Sequence, residues 1–223
     1  MSSEDPAKRF VVWDSPTRVF HWCLVLAVLL CWISAEEDYL QVHQYAGYTV
    51  LVLVLTRVVW GVIGSVHSRF SDFLVSPLHV LAYLRGRLPS RPRHNPAGGY
   101  SVLVMLALLL LQALTGLFNS DGLMFDGPFY HALESRWTDK LGEIHATAFW
   151  VLLGFIGLHV ASILYYQVLR RQDLLTPMLL GGLGGRAAPR PAWLALLVLL
   201  VCVGGLAVAI YYAPEPPPNM WGM

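Results

Sequence analysis

Residues 143–160 have the sequence EIHATAFWVLLGFIGLHV, in which His145 and His159 lie in an otherwise apolar run. The two histidines are fourteen residues apart, close to four turns of an α-helix. They therefore point in nearly the same direction and lie about 21 Å apart along the helix axis. Ionisable side chains are rare in membrane-spanning helices and usually mark a functional site. The spacing predicts two metal centres on one side of one helix, near the two membrane surfaces.

The composition predicts a membrane protein with several spans. Of the 223 residues, 56% are hydrophobic and only 13% are charged, whereas soluble domains carry about 25% charged residues. A bilayer is crossed by about 20 apolar residues. Five runs approach this length: residues 19–34, 46–64, 101–118, 146–169 and 193–212. We predict an all-α fold, a four-helix transmembrane bundle with a fifth C-terminal transmembrane helix.

The same runs divide the chain. We predict a four-helix membrane domain at residues 1–180, a Gly/Pro-rich linker at 181–191, the fifth helix at 192–212 and an extended tail at 213–223. Asp14-Ser15-Pro16 predicts the start of the first helix, because a capping residue precedes a proline in the first turn.

Charge is distributed unevenly among the connections, although the net charge is only +1 and indicates no nucleic-acid partner. Basic connections stay on the cytoplasmic side of a membrane. The second and fourth connections are basic, whereas the first and third together carry eight acids and two bases. The N-terminus is therefore predicted to be cytoplasmic and the C-terminus periplasmic.

Two further histidines lie at matching depths in this topology. His43 lies at the outer start of the second helix, at the depth of His145 in the fourth helix. His21 lies at the inner start of the first helix, at the depth of His159. Imidazole is a common axial ligand of haem iron. We predict two haem b groups, with His21 and His159 as ligands of the inner haem and His43 and His145 as ligands of the outer haem.

Other kinds of site fit the pattern less well. Zinc requires three or four ligands at one place, and a single histidine would serve equally well as a packing residue. The three cysteines lie in apolar helices, and no Cys-x-x-Cys-His motif for covalent haem attachment is present.

Three residues have positions suited to haem contacts. Gly47 lies one turn after His43, where the lack of a side chain would admit a flat macrocycle. Arg57 lies fourteen residues after His43, level with the inner pair, where it would bind a haem propionate. Arg18, three residues before His21, is a second candidate for that role. Plain helix packing for Gly47 and an Arg57 side chain reaching to the inner surface are the alternatives.

Several motifs resemble those of the bacterial cytochrome b561 superfamily. They include Trp13-Asp14-Ser15-Pro16-Thr17-Arg18, Phe20-His21-Trp22, His43 with Gly47-Tyr48, Arg57 with Trp60-Gly61, Arg69-Phe70-Ser71-Asp72-Phe73, His94-Asn95-Pro96-Ala97-Gly98-Gly99, Thr115-Gly116-Leu117-Phe118, Glu143-Ile144-His145 and Leu158-His159-Val160. The resemblance covers about residues 10–180 and extends to the cytochrome b subunits of some hydrogenases. It implies a bacterial inner-membrane protein whose four helices hold two b haems through these histidines. The fifth helix and the tail with Met220 and Met223 lie outside it.

The resemblance also implies electron transfer between quinone and a redox partner. We predict that quinone or quinol, a mobile substrate, binds near the inner haem beside His94, Asn95 and Trp22, where a polar loop meets the lipid headgroups. The acidic outer connections favour a basic periplasmic electron-transfer protein, such as a c-type cytochrome.

Several alternatives stay open at this stage. One is the membrane-anchor subunit of a larger oxidoreductase, such as a Ni-Fe hydrogenase or a formate dehydrogenase. Another is a superoxide:quinone oxidoreductase, which the acidic outer loops disfavour, and a third is a haem-free transporter or scaffold. The sequence decides neither whether the chain forms a homodimer nor whether it is itself an enzyme.

Overall fold

The computed structural model describes residues 10–11, 13–74, 76, 78, 80–81, 85, 96–123, 125–181, 183–185 and 189–215. Its helices are α1 (Ser15–Glu36), α2 (Leu40–Ile63), α3 (Phe70–Phe73), α4 (Pro96–Gly116), α5 (Ser135–Leu164), α6 (Leu175–Leu179) and α7 (Ala192–Tyr211). Five of these, α1, α2, α4, α5 and α7, are long and apolar enough to cross a membrane. The prediction of a helical, multi-pass membrane protein with five spans is confirmed.

Helix α1 begins and ends where its sequence supplies caps. Asp14 is the N-cap, and its Oδ1 accepts a hydrogen bond from the amide of Thr17 at 3.1 Å. At the other end Asp38 takes a left-handed conformation with φ of 57°, and the amide of Tyr39 donates to the carbonyl of Ser34 at 2.8 Å. This pattern closes the last turn of a helix and reverses the chain. The connection between α1 and α2 therefore comprises only residues 37–39, and α2 returns directly alongside α1.

The bundle of α1, α2, α4 and α5 has its buried core between the two levels of paired histidines. The core cluster comprises Ala27 of α1, Val50 and Val54 of α2, Leu106 and Leu109 of α4 and Leu152 of α5. Leu152 is seven residues from both His145 and His159, about two helical turns in each direction. An apolar layer thus separates the outer histidines from the inner ones.

Helix α7 lies on the outside of this bundle. It packs mainly on α2 and also contacts α1, and it contributes none of the six residues of the core cluster. Ala195 is the one buried residue of this helix, so most of its side chains face the surroundings of the protein. The helix is therefore an addition to the four-helix core.

Short elements connect and extend the long helices. Strand β1 (Phe10–Val11) pairs antiparallel with β2 (Leu183–Gly185), which brings the N-terminal segment to the linker before α7. Two 3₁₀ turns span Val66–Ser68 and Tyr130–Ala132, and a π-helical turn at Tyr165–Leu169 follows α5. Helix α5 begins at Ser135, eleven residues before the apolar run of residues 146–169 that predicts this span.

Candidate functional site

We call His43 on α2 and His145 on α5 the outer pair, after the topology that the charge pattern predicts. The centroids of the two rings are 6.1 Å apart, and their planes make an angle of 80°. Nδ1 of His43 lies 2.8 Å from the carbonyl oxygen of Cys31, and Nδ1 of His145 lies 2.9 Å from that of Gln112. Because a carbonyl oxygen only accepts, each Nδ1 carries the proton. Each Nε2 then keeps a lone pair that is able to bind a metal.

The inner pair consists of His21 on α1 and His159 on α5. Their ring centroids are 6.5 Å apart, with an angle of 54° between the planes, and the ring of His21 also meets that of Trp22 edge-on at 5.0 Å. Nδ1 of His21 is buried and has no hydrogen-bond partner among the described residues. The structure thus places side by side the histidines that were paired by depth, while their role as ligands stays a prediction.

Both ring separations suit a metal ion bound between two imidazoles. An imidazole nitrogen binds a metal at about 2.0–2.1 Å, and it lies about 1.1 Å from the centre of a five-membered ring built of such short bonds. Rings on opposite sides of one ion would therefore have centroids about 6 Å apart. Within the described part of the chain no three His, Cys, Asp or Glu side chains cluster as a metal site would need. The donor set suits an ion that takes its remaining ligands from a macrocycle.

Two glycines border the outer pair in different ways. A Cβ added at Gly47, one turn from His43, would meet nothing within 4 Å. A Cβ added at Gly116, at the end of α4, would lie 2.9 Å from Cε1 of His145. Gly47 therefore faces open space beside a histidine, whereas Gly116 allows α4 to approach the other histidine closely.

Arg57 is buried at the inner end of α2, with an exposed fraction of only 5%. Its Nη2 donates to the carbonyl of Ser68 at 3.0 Å, and its guanidinium lies over the ring of Phe70, 5.1 Å from the centroid. Nη1 is buried with no hydrogen-bond partner among the described residues. A buried cation with a free donor is suited to bind an anion such as a carboxylate.

Arg18 and Trp22 both contact the short helix α6. Nη1 of Arg18 donates to the carbonyl of Leu179 at 3.1 Å, while its Nε is buried and unbonded within the described residues. Nε1 of Trp22 donates to the carbonyl of Met178 at 3.3 Å. The indole donor of Trp22 is thus engaged within the protein. His94 and Asn95, the other residues predicted to bind quinone, lie outside the described residues.

A polar network that the sequence spacing did not predict fixes the surroundings of Arg57. Oδ2 of Asp14, a residue that is 3% exposed, accepts from Nε1 of Trp60 at 3.0 Å. Burial raises the pKa of Asp14, but hydrogen bonds with Ser65, Thr17 and Ser68 outweigh it and hold the pKa below its ordinary value. These residues are far apart in the chain, so spacing along one helix could not reveal them. The sequence marks Asp14 as a helix cap and places Thr17 and Trp60 in the motifs that carry the resemblance, but it gives no signal for Ser65 or Ser68.

Arg69 is a further residue that the analysis of spacing missed. Its Nε is buried and has no hydrogen-bond partner among the described residues. It directly follows Ser68, whose carbonyl binds Arg57. Three buried arginine donors therefore have no partner among the described residues. They belong to Arg18 in α1, Arg57 in α2 and Arg69 in the turn after α2.

Comparison with known proteins gives the chain a family. Residues 12–181 match the prokaryotic cytochrome b561 family. A probable Ni/Fe-hydrogenase B-type cytochrome subunit of Rhizobium leguminosarum bv. viciae is 24% identical over 208 residues, covering 76% of this chain and 87% of the relative. The probable Ni/Fe-hydrogenase 1 B-type cytochrome subunit of Escherichia coli K12 is 23% identical over 211 residues, covering 76% and 88%. No solved structure matches the chain.

The family match covers most of the chain and includes both pairs of histidines, but it ends before α7 begins. The family implies a b-type haem, which agrees with the two-imidazole geometry of each pair. This membrane protein, with its histidines stacked along α5, therefore belongs to the prokaryotic cytochrome b561 family of electron-transport cytochromes.

Proposed function

We propose that this cytochrome carries electrons across the membrane through two bis-histidine b haems, between membrane quinone or quinol and a redox partner at the acidic surface. The observation that carries the proposal is the stacking of two imidazole pairs along α5, with ring separations of 6.1 and 6.5 Å. Each haem, when bound, supplies an iron that accepts and releases one electron. The chain supplies the ligands, their orientation and an apolar surrounding.

The residues of the outer site have distinct roles in this proposal. His43 and His145 bind the iron through Nε2, because the carbonyls of Cys31 and Gln112 hold their Nδ1 protons. Gly47 leaves room for the macrocycle, in agreement with the open space beside it. At this site the protein fixes both imidazoles before the cofactor binds, which reduces the ordering cost of binding.

At the inner site His21 and His159 are the proposed ligands. Arg57 is the proposed partner of a haem propionate, because its buried Nη1 has a free donor, and Arg18 offers its Nε for the second carboxylate. Charge-assisted hydrogen bonds of this kind are among the stronger polar interactions in proteins. Quinone is proposed to bind on this side, where His94 and Asn95 would supply donors and the ring of Trp22 would supply an apolar wall.

The outer surface suits a basic redox partner. All eight acids that lie in the two outer connections or on the helix ends beside them are exposed. They are Glu36, Glu37, Asp38, Asp121, Asp126, Glu134, Asp139 and Glu143. One of the two bases, Arg136, is paired with Glu134 at 2.9 Å. Such a surface attracts a cationic protein, such as a basic c-type cytochrome, and accelerates its association.

The comparisons favour a second candidate, the membrane subunit of a larger oxidoreductase such as a Ni/Fe hydrogenase. Relatives named as cytochrome subunits of such hydrogenases match over most of their own length. Both candidates use the same two haem sites and differ only in whether the partner stays bound. Native mass spectrometry after gentle solubilisation distinguishes them, since a stable complex with a catalytic subunit supports the second candidate.

Haem analysis of purified histidine variants tests the shared part of the proposal. We expect two b haems per chain, with one spectral component lost in His43→Ala and His145→Ala and the other lost in His21→Ala and His159→Ala. His131→Ala is the matched control, because His131 lies in the outer connection and pairs with Asp126 at 3.2 Å. The proposal fails if the wild-type protein holds fewer than two haems, or if His43→Ala and His21→Ala remove the same component.

A further inference from the structure

The two outer histidines are held by matching arrangements on two different helices. The carbonyl of Cys31 in α1 faces His43, and Ser34 donates its hydroxyl to the same carbonyl at 3.1 Å. The carbonyl of Gln112 in α4 faces His145, and Thr115 donates to it at 3.1 Å. In both helices the hydroxyl residue follows the carbonyl residue by three positions. Each outer imidazole thus meets a helix carbonyl that also bonds a hydroxyl.

Both hydroxyl groups are buried and bond backward along their own helix. Ser34 is 2% exposed and Thr115 is 3% exposed. Each also donates to the carbonyl four positions earlier, Leu30 at 2.6 Å and Leu111 at 2.8 Å. A serine or threonine that bonds backward in this way often bends its helix. Such a bend would turn the carbonyls of Cys31 and Gln112 away from the helix axis, toward the facing imidazoles.

The inner pair lacks this support at one of its members, since Nδ1 of His21 has no partner among the described residues. A hydrogen bond from Nδ1 makes an imidazole a more basic ligand through Nε2. A more basic ligand stabilises oxidised iron and lowers the potential of a haem, for which hydrogen bonds around the ligands are a known control. The outer and inner sites are therefore unequal in the strength of their ligands.

We propose that Ser34 and Thr115 are positioning residues that hold the carbonyls of Cys31 and Gln112 against His43 and His145, and so lower the potential of the outer haem. The proposal rests on the proposed function, because it concerns the haem that these two histidines would bind. Thr115 has the larger effect of the two, because its own Oγ1 also lies 3.2 Å from Nδ1 of His145 and shares its proton.

Redox titration of the two haem components in Ser34→Ala and Thr115→Val tests the proposal. Without the hydroxyl the carbonyl returns toward its own helix, and the bond to the imidazole weakens. We expect the reduction equilibrium of the outer component to shift by about threefold toward the reduced form, the scale of a weakened hydrogen bond. This corresponds to a rise of about 30 mV at 59 mV per tenfold for one electron. The inner component should keep its potential.

Conservative and matched variants separate positioning from general damage. Thr115→Ser and Ser34→Thr keep the hydroxyl and should retain the wild-type potential. Thr56→Val removes a buried hydroxyl that donates to the carbonyl of Val52 at 2.8 Å and should leave the outer component unchanged. The component lost in His145→Ala identifies the outer haem, and its low-spin ferric EPR signal gives a second measure of ligand strength.

Two kinds of result overturn the inference. The first is an outer potential that stays constant or falls in the hydroxyl-free variants, and the second is an equal shift of both haem components. If the wild-type protein holds two b haems and the variants show no shift, only the positioning role is lost. A wild-type protein without two b haems would remove the proposed function together with this inference. If one of the two variants fails to accumulate, the other decides.

Discussion

Gly47 is a position at which the protein without haem should tolerate a larger residue and the protein with haem bound should not. A Cβ added at this position would meet nothing within 4 Å, and leucine favours a helix over glycine by about 1 kcal/mol. The protein chain alone therefore accepts a larger residue here. A macrocycle held by His43 would occupy the same space, so the protein with haem bound would not accept a larger residue here.

We predict that Gly47→Leu yields a folded protein that has lost the outer b haem and kept the inner one. Spectra of the purified variant, together with haem quantification, provide the measurement. Gly204→Leu in α7 is the control, because a Cβ at Gly204 also meets nothing within 4 Å, and it should keep both haems. A Gly47→Leu protein with two haems would show that the open space is not the macrocycle site.

Asp14 gives the protein a predicted dependence on pH. Its pKa is held below the ordinary value of 3.8, as hydrogen bonds outweigh the effect of burial. A group with a lowered pKa in the folded state stabilises the fold at pH above its unfolded pKa, and this contribution is lost as pH falls through the folded pKa. Stability from Asp14 is thus fully present at neutral pH and disappears in acid.

We predict that Asp14→Asn lowers the free energy of unfolding at pH 7 by about 1–3 kcal/mol, the range for disturbing buried hydrogen bonds. Unfolding in detergent, followed by tryptophan fluorescence, measures the effect. The difference from the wild-type protein should narrow below about pH 4, as the wild-type carboxylate becomes protonated. A difference that is constant with pH would contradict the role of the charge.

At the residue scale, the sequence predicted positions that follow from one helix and missed those that depend on two. The pairing of His43 with His145 and of His21 with His159 followed from depth along each helix, and the cap at Asp14 followed from its local motif. Bonds such as Asp14 to Trp60 join residues 46 positions apart, so no periodicity records them. The role of Ser34 was not predictable, because a serine in an apolar run does not reveal that the carbonyl it bonds, that of Cys31, faces a histidine.

At the scale of elements, helix number and order were predictable, while some boundaries were not. Apolar length defined the five spans. Helix α5 begins earlier than predicted because its first residues, which include Ser135, Arg136 and Asp139, are polar and lie before the apolar run. Asp38 ended α1 in a left-handed conformation, for which glycine is the usual residue. Apolar patterns therefore locate a span better than they locate its polar ends.

Helix α7 provides a prediction at this scale. Because it packs on the outside of α2 and lies beyond the family match, we predict that a chain ending after Pro191 keeps both haems and both potentials. This cut retains Arg190, whose amide donates to Oγ of Ser65 at 2.9 Å. Haem quantification and redox titration of the shortened protein are the measurements. Loss of either haem would show that α7 belongs to the core.

For the whole molecule, the acidic surface predicts a dependence on salt. Reduction or oxidation of a basic c-type cytochrome by this protein should slow as salt rises from about 0.01 to 0.15 M, because the screening length falls from about 30 to 8 Å. Stopped-flow kinetics measures the rate, and Asp139→Asn combined with Glu143→Gln should flatten its dependence. A rate that rises with salt would contradict docking at this surface.

The apolar layer around Leu152 has an electrical consequence. A membrane voltage falls mainly across a region of low dielectric constant. His145 and His159 lie about 21 Å apart on either side of this layer. Moving one charge across a whole membrane costs about 2.3 kcal/mol per 100 mV, so a passage over roughly seven-tenths of a 30 Å core costs about 1.6 kcal/mol per 100 mV. Electrons passing from the outer to the inner site would make the cytoplasmic side more negative. Turnover in this direction would build up the membrane voltage and would slow as that voltage rises.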